Sequence, residues 1–166
     1  KFPLVKYAMH AGELTSGLVA PEELTWHINE AVRFAGATRI GHGVDMAWEK
    51  DSRSLLAYMK KQQIAVEINL SSNEFILGVK DDRHPISLYY KAAVPITIST
   101  DDAGILRTSI TRQFVLLAQR YPFIPYKAIK EMVYNSIRFS FIEENNIKTK
   151  LLQELDRRFT AFEKSM

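Results

Sequence analysis

The sequence predicts an α/β fold, a parallel sheet of four short strands covered by helices. Three observations predict it. Short apolar runs alternate with helical stripes in the order β-α-β-α-β-α-β-α. The strand ends recur roughly 30 residues apart, the length of a strand, a helix and two loops. Each apolar run also stops at a polar cluster: His10-Ala11-Gly12-Glu13, Gly41-His42-Gly43, Ser71-Ser72-Asn73 and Thr100-Asp101-Asp102. Parallel α/β folds carry their chemistry at such strand ends.

The strands are expected at residues 4–9, 38–40, 64–68 and 94–99. A first helix is expected from Pro21-Glu22-Glu23, where proline and acids suit a helix start, through the stripe Leu24, Ile28, Ala31, Val32 and Ala35. Asp51 or Ser52 caps a second helix through Leu55, Leu56 and Met59. A short third one spans residues 84–92. Thr108 or Ser109 opens a fourth through Ile110, Phe114, Leu117 and Ala118. Beyond Pro122 two helices, at 125–142 and 148–164, follow with no strand between them. No linker divides the chain, so residues 1–166 are expected to form one domain, with 122–166 a helical C-terminal extension packed on its outside. Four βα units are half of an eight-stranded barrel, and four strands alone leave two exposed edges. Either the sheet stays open, or a second copy of the chain or an N-terminal half covers them.

Composition narrows the function. Hydrophobic residues make up 46% and charged residues 25%, as in soluble globular proteins. The net charge of +3 and the lack of a basic block argue against a nucleic-acid or membrane surface. No apolar stretch approaches the roughly 20 residues of a membrane span, and no signal peptide is visible. There is no cysteine, so any metal must be held by His, Asp, Glu or water. That absence is compatible with a reducing compartment, and a cytoplasmic location is expected. The chain does not begin with Met and is expected to be a piece of a longer polypeptide.

His10 and Glu13 lie three apart across Gly12, which lets the backbone turn sharply. A histidine that holds a metal beside a glutamate that moves protons suits hydrolysis. Spacing alone equally allows a surface loop. His42, between two glycines, is open to close approach by a substrate, or it simply bonds to backbone in a turn. Asp101 and Asp102 are adjacent carboxylates after a buried strand, and a cation would relieve their repulsion. A helix-capping aspartate with a solvated neighbour is the other reading. Ser71, Ser72 and Asn73 either line a polar mouth or, the preferred reading, make turn and capping hydrogen bonds that shape the loop into Phe75. His27 and His84 are expected to be structural, and Arg39 and Lys80 to be solvated.

Taken in order, His10-Ala11-Gly12-Glu13, Arg39-Ile40-Gly41-His42-Gly43-Val44, Val66-Glu67-Ile68-Asn69-Leu70-Ser71-Ser72-Asn73, His84-Pro85-Ile86 and Ile98-Ser99-Thr100-Asp101-Asp102-Ala103 resemble the adenosine deaminase family. The resemblance covers about residues 4 to 142. It implies the C-terminal half of a TIM (β/α)8 barrel and a zinc-dependent enzyme that turns adenosine and water into inosine and ammonia. It implies that His10 and Asp101 are zinc ligands and that Glu13 protonates the purine at N1. His42 would orient or deprotonate the water on the zinc. Asp102 would bind the purine N7, and Gly12 is expected to lie against the substrate.

The same resemblance marks what is missing. The family takes two more zinc ligands from a His-X-His motif on its first strand, and this sequence contains none. Ala103 stands where the family usually has proline. The chain alone is therefore expected to have little or no activity. A purine nucleoside is the expected substrate, with AMP, adenine or a modified adenosine as alternatives. A non-catalytic half-barrel is the competing reading. A cytidine-deaminase type of editor is unlike this chain, because its zinc site needs cysteines.

Overall fold

The computed structural model describes residues 5–166. Strands β1 (Ala8–Ala11), β2 (Arg39–His42), β3 (Ala65–Ile68) and β4 (Ile96–Ile98) form one sheet in the order β1-β2-β3-β4. Every pairing is parallel, and the order places β2, β3 and β4 each beside its predecessor in the chain. This is the α/β architecture expected from the alternation of strands and helices.

The first strand was expected at 4–9. Leu4 lies outside the described residues, and β1 begins only at Ala8. Pairing starts just before it, where Thr38 N–H donates to the Tyr7 carbonyl at 2.9 Å. Strand β2 runs past its expected end and takes in Gly41 and His42. Registers align His10 with Gly41, Gly41 with Glu67, and Glu67 with Thr97. With side chains alternating, this row and Arg39 share one face. The opposite face carries Ile40, Val66 and Ile96, which enter the core with Ile28, Leu55, Met59, Ile86 and Tyr89.

Arg39 is not solvated as expected. It pairs with Glu67 on the polar face. Its Nη1 donates to the Phe139 carbonyl at 3.1 Å, and its guanidinium lies 4.3 Å from the Phe141 ring centroid. A planar cation can satisfy a carboxylate, a carbonyl and an aromatic face at once.

The helices follow the expected order with informative differences. The segment from Pro21 is a 3-10 turn (Pro21–Thr25) followed by α1 (His27–Arg33). The break has a cause. The buried Glu49 carboxylate accepts from Ile28 N–H, and from Asn29 N–H at 3.4 Å, which caps α1 at that point. Asp51 caps α2 (Ser52–Gln62) by accepting from Ser54 N–H at 3.4 Å. Helix α3 (Leu70–Leu77) occupies a stretch expected to be a turn. Helix α4 (Ile86–Lys91) follows Pro85, and the four-residue α5 (Ala103–Leu106) follows Asp102. Ser109 opens α6 (Ile110–Arg120) by accepting from Arg112 N–H at 3.3 Å.

Helix α7 (Tyr126–Arg138) packs on β4, and Asn135 Nδ2–H donates to the Ile96 carbonyl at 3.1 Å. Helix α8 (Asn145–Lys164) packs on α7. There Tyr134 donates to Asp156 at 2.6 Å and stacks on Phe159. No helix among the described residues is long and apolar enough to cross a membrane.

Candidate active site

The C-terminal ends of the four strands bring the polar clusters together. His10 is the third residue of β1, and its ring lies over Gly41 of the neighbouring strand. The chain then turns at Gly12, where φ is 65°. A Cβ there would run into the Asp45 carboxylate and the Ile28 side chain, so the turn needs glycine. Gly12 is itself buried and carries Glu13.

His42 ends β2 with φ at 71°, in the left-handed region that side chains avoid. Strict alternation would place it with Ile68 and Ile98 on the helix side. The reversed φ turns the chain, and the ring meets His10 at 4.9 Å between centroids. Gly43 continues the turn at φ 58° over Tyr89, whose hydroxyl donates to the Gly43 carbonyl at 2.7 Å. Asp101 also has positive φ, at 55°. His42 and Asp101 thus both hold a conformation that costs energy for a residue with a side chain.

His10, His42 and Asp101 each offer a donor atom within 4.8 Å of the other two. Nitrogen and carboxylate oxygen so arranged suit a divalent transition metal. His42 Nε2 lies 3.7 Å from Glu13 Oε1 and 3.9 Å from Asp101 Oδ2. Asp102 sits beside Asp101 at the head of α5 and is exposed. So four of the six candidate residues meet directly, with Gly12 and Asp102 next to them in the chain.

The surroundings hold these groups. Ser72 donates to Asp101 Oδ2 at 2.6 Å. Asn73 Nδ2 and Asn69 Nδ2 lie 3.1 and 3.3 Å from His42 Nδ1. Asn73 also binds the buried His84. Burial pushes the His42 pKa down, while the Glu13 and Asp101 carboxylates pull it back up. Burial takes His84 down to about 4 and Asp45 up to about 7, the latter helped by Glu49.

Ser72 and Asn73 therefore reach past turn chemistry to the cluster itself. Ser71 makes neither a turn nor a local cap and instead ties α3 to α6. Its N–H donates to Gln113 Oε1 at 3.1 Å, and Gln113 Nε2 donates back to its hydroxyl at 2.6 Å. The missed signal was the helix itself. Once residues 70–77 are helical, Ser72 and Asn73 fall in its first turn beside the strand ends.

The family model for adenosine deaminase matches residues 4–158. The chain belongs to the adenosine deaminase family. It is 29% identical over 153 residues to the adenosine deaminase of Clostridium acetobutylicum, covering 92% of this chain and 42% of that protein. It is 29% identical over 148 residues to the aminodeoxyfutalosine deaminase of Streptomyces coelicolor, covering 89% of this chain and 35% of that one. Its fold superposes on the Arabidopsis N6-mAMP deaminase with a TM-score of 0.71 at 26% identity, covering 92% of this chain and 41% of that chain. The chain thus spans about two fifths of the length of the relatives it matches. Its four-stranded sheet corresponds to half of the deaminase barrel.

Proposed function

We propose that this chain carries the acid–base groups and part of the metal site of a zinc-dependent aminohydrolase acting on adenosine or a close purine relative. The observation that supports this most is the meeting of residues from three strand ends: donor atoms of His10, His42 and Asp101 lie within 4.8 Å of one another, and Glu13 Oε1 lies 3.7 Å from His42 Nε2.

His10 and Asp101 would hold the zinc. When bound, the ion supplies Lewis acidity that makes water a competent nucleophile near neutral pH. Glu13 hands a proton to the purine at N1, which makes C6 electrophilic. His42, between Glu13 and Asp101, positions the attacking water through Nε2. Asp102 binds the purine at N7, and Gly12 lies against the substrate. Water adds at C6, the 6-amino group leaves as ammonia, and inosine results. The substrate class rests on the relatives, whose names cover adenosine, aminodeoxyfutalosine and N6-mAMP. All of these are purines with a substituted or free amino group at C6.

Two ligands do not complete a catalytic zinc site, which takes three protein ligands or more. The chain alone is therefore inactive, and an N-terminal half supplies the remaining ligands and pairs with the open strand edges. A substrate panel on the full-length protein with zinc is the test. Release of ammonia from adenosine or one of the related purines is expected, and none from the 166-residue chain by itself. Full turnover by the isolated chain sinks the half-site account. Failure of the full-length protein on the whole panel sinks the function.

A further inference from the structure

A chain of hydrogen bonds runs from the backbone of α4 into the cluster, and it starts at a donor that cannot be reversed. Ile86 N–H donates to His84 Nδ1 at 3.2 Å, so that nitrogen carries a lone pair. His84 is buried and neutral, which leaves its proton on Nε2. That N–H donates to Asn73 Oδ1 at 3.0 Å. The Asn73 amide is thereby oriented, with its NH2 toward His42 Nδ1 at 3.1 Å. A flipped Asn73 would set its NH2 against the His84 N–H, two buried donors facing each other. Asn69 Nδ2 faces the same His42 nitrogen at 3.3 Å.

We infer that Asn73 and His84 are positioning residues that hold His42 as the tautomer whose proton sits on Nε2. His42 then presents an N–H, not a lone pair, toward Glu13 and Asp101. In that form it does not ligate a metal, and it enters the centre as a hydrogen-bond donor that orients the nucleophile. Metal ligation from this chain falls to His10 and Asp101. The catalytic consequence rests on the aminohydrolase reading; the tautomer does not.

The test is a tautomer measurement on full-length protein with 15N-labelled histidine, near neutral pH and without substrate. Pyrrole-type and pyridine-type ring nitrogens differ in 15N shift, and His42 is assigned by substitution. The expected spectrum has His42 Nε2 pyrrole-type and Nδ1 pyridine-type. Asn73→Asp offers an acceptor to both rings and, with the Asn69 amide turning its unpartnered Oδ1 toward the same nitrogen, is expected to move the His42 proton to Nδ1. His84→Phe removes the anchor and is expected to average the two forms. His84→Gln, whose amide can donate to Asn73, is expected to keep the Nε2–H form.

In the active protein, kcat is expected to fall about 10–100-fold in Asn73→Asp and His84→Phe, with KM little changed, and to recover in His84→Gln. A wild-type spectrum with the proton on His42 Nδ1 overturns the inference. So does an unchanged Nε2–H form in Asn73→Asp or His84→Phe, whichever of the two folds. If the expected tautomer is found but no purine is deaminated, the function falls and this inference stands.

Discussion

The Ser72 hydroxyl donates to Asp101 Oδ2 at 2.6 Å, tying the first turn of α3 to the loop that follows β4. The bond crosses between two strand ends and fixes a carboxylate whose own backbone is held at positive φ. On the proposed reading Asp101 is a zinc ligand, and a group that aims a ligand is felt through that ligand.

Ser72→Ala should therefore weaken zinc binding and deamination together, by about 10–100-fold each, while leaving the fold intact. Isothermal titration of metal-free full-length protein with zinc reads the first effect, and ammonia release reads the second. Equal zinc affinity in Ser72→Ala and wild type would show that Asp101 needs no such support.

Removing the metal with a chelator should abolish deamination, and zinc should restore it. His10→Ala should weaken zinc binding more than Ser72→Ala does, because it deletes a donor rather than its support. His42→Gln should retain most of the zinc affinity and lose turnover. Zinc affinity lost equally in His42→Gln and His10→Ala would make both rings ligands.

Gly43→Ala should destabilise the fold. The residue sits at φ 58°, and a Cβ there would meet the Tyr89 hydroxyl that binds the Gly43 carbonyl. Strain of this kind costs about 1–3 kcal/mol, read as a lower midpoint in urea. An unchanged midpoint would mean that Tyr89 moves aside freely.

Asp45 and His84 give opposite pH responses. The pKa of Asp45 rises from 3.8 to about 7 in the fold, so the folded state holds its proton more tightly. That contribution is complete below about pH 4 and is lost as pH rises through about 7, on the order of 4 kcal/mol. His84 drops from 6.5 to about 4, so its contribution is present above 6.5 and is lost as pH falls toward 4. The two slopes oppose each other between roughly pH 4 and 6.5. Urea midpoints of Asp45→Asn across that range should fall only on acidification, whereas wild type stays flatter. A wild-type curve as steep as the variant's would show that Asp45 does not titrate in this way.

The strand ends were legible because apolar runs and polar stops are local features. The same is true of the Asp51 and Ser109 caps. Helix α3 was not, because Asn69 makes no side-chain capping bond and Ser71-Ser72-Asn73 resembles a turn. Helix α5 is too short to show a period. The Arg39–Glu67 pair depends on register between strands, which spacing along the chain does not reveal. Likewise, the links from His84 through Asn73 to His42 join three separate segments. His42 and Asn73 were visible in the polar strand-end clusters and His84 only as a structural residue at a helix start, and their bonds exist only once the sheet is assembled.

The strand order β1-β2-β3-β4 has a consequence for how the molecule is made. Strands β2, β3 and β4 each hydrogen-bond to the one synthesised just before, so none of these three pairings waits for a distant part of the polypeptide. Short-range closure lowers the entropic barrier to assembly. The sheet can grow unit by unit as the nascent chain emerges, and the pocket floor is laid down in the same direction as translation.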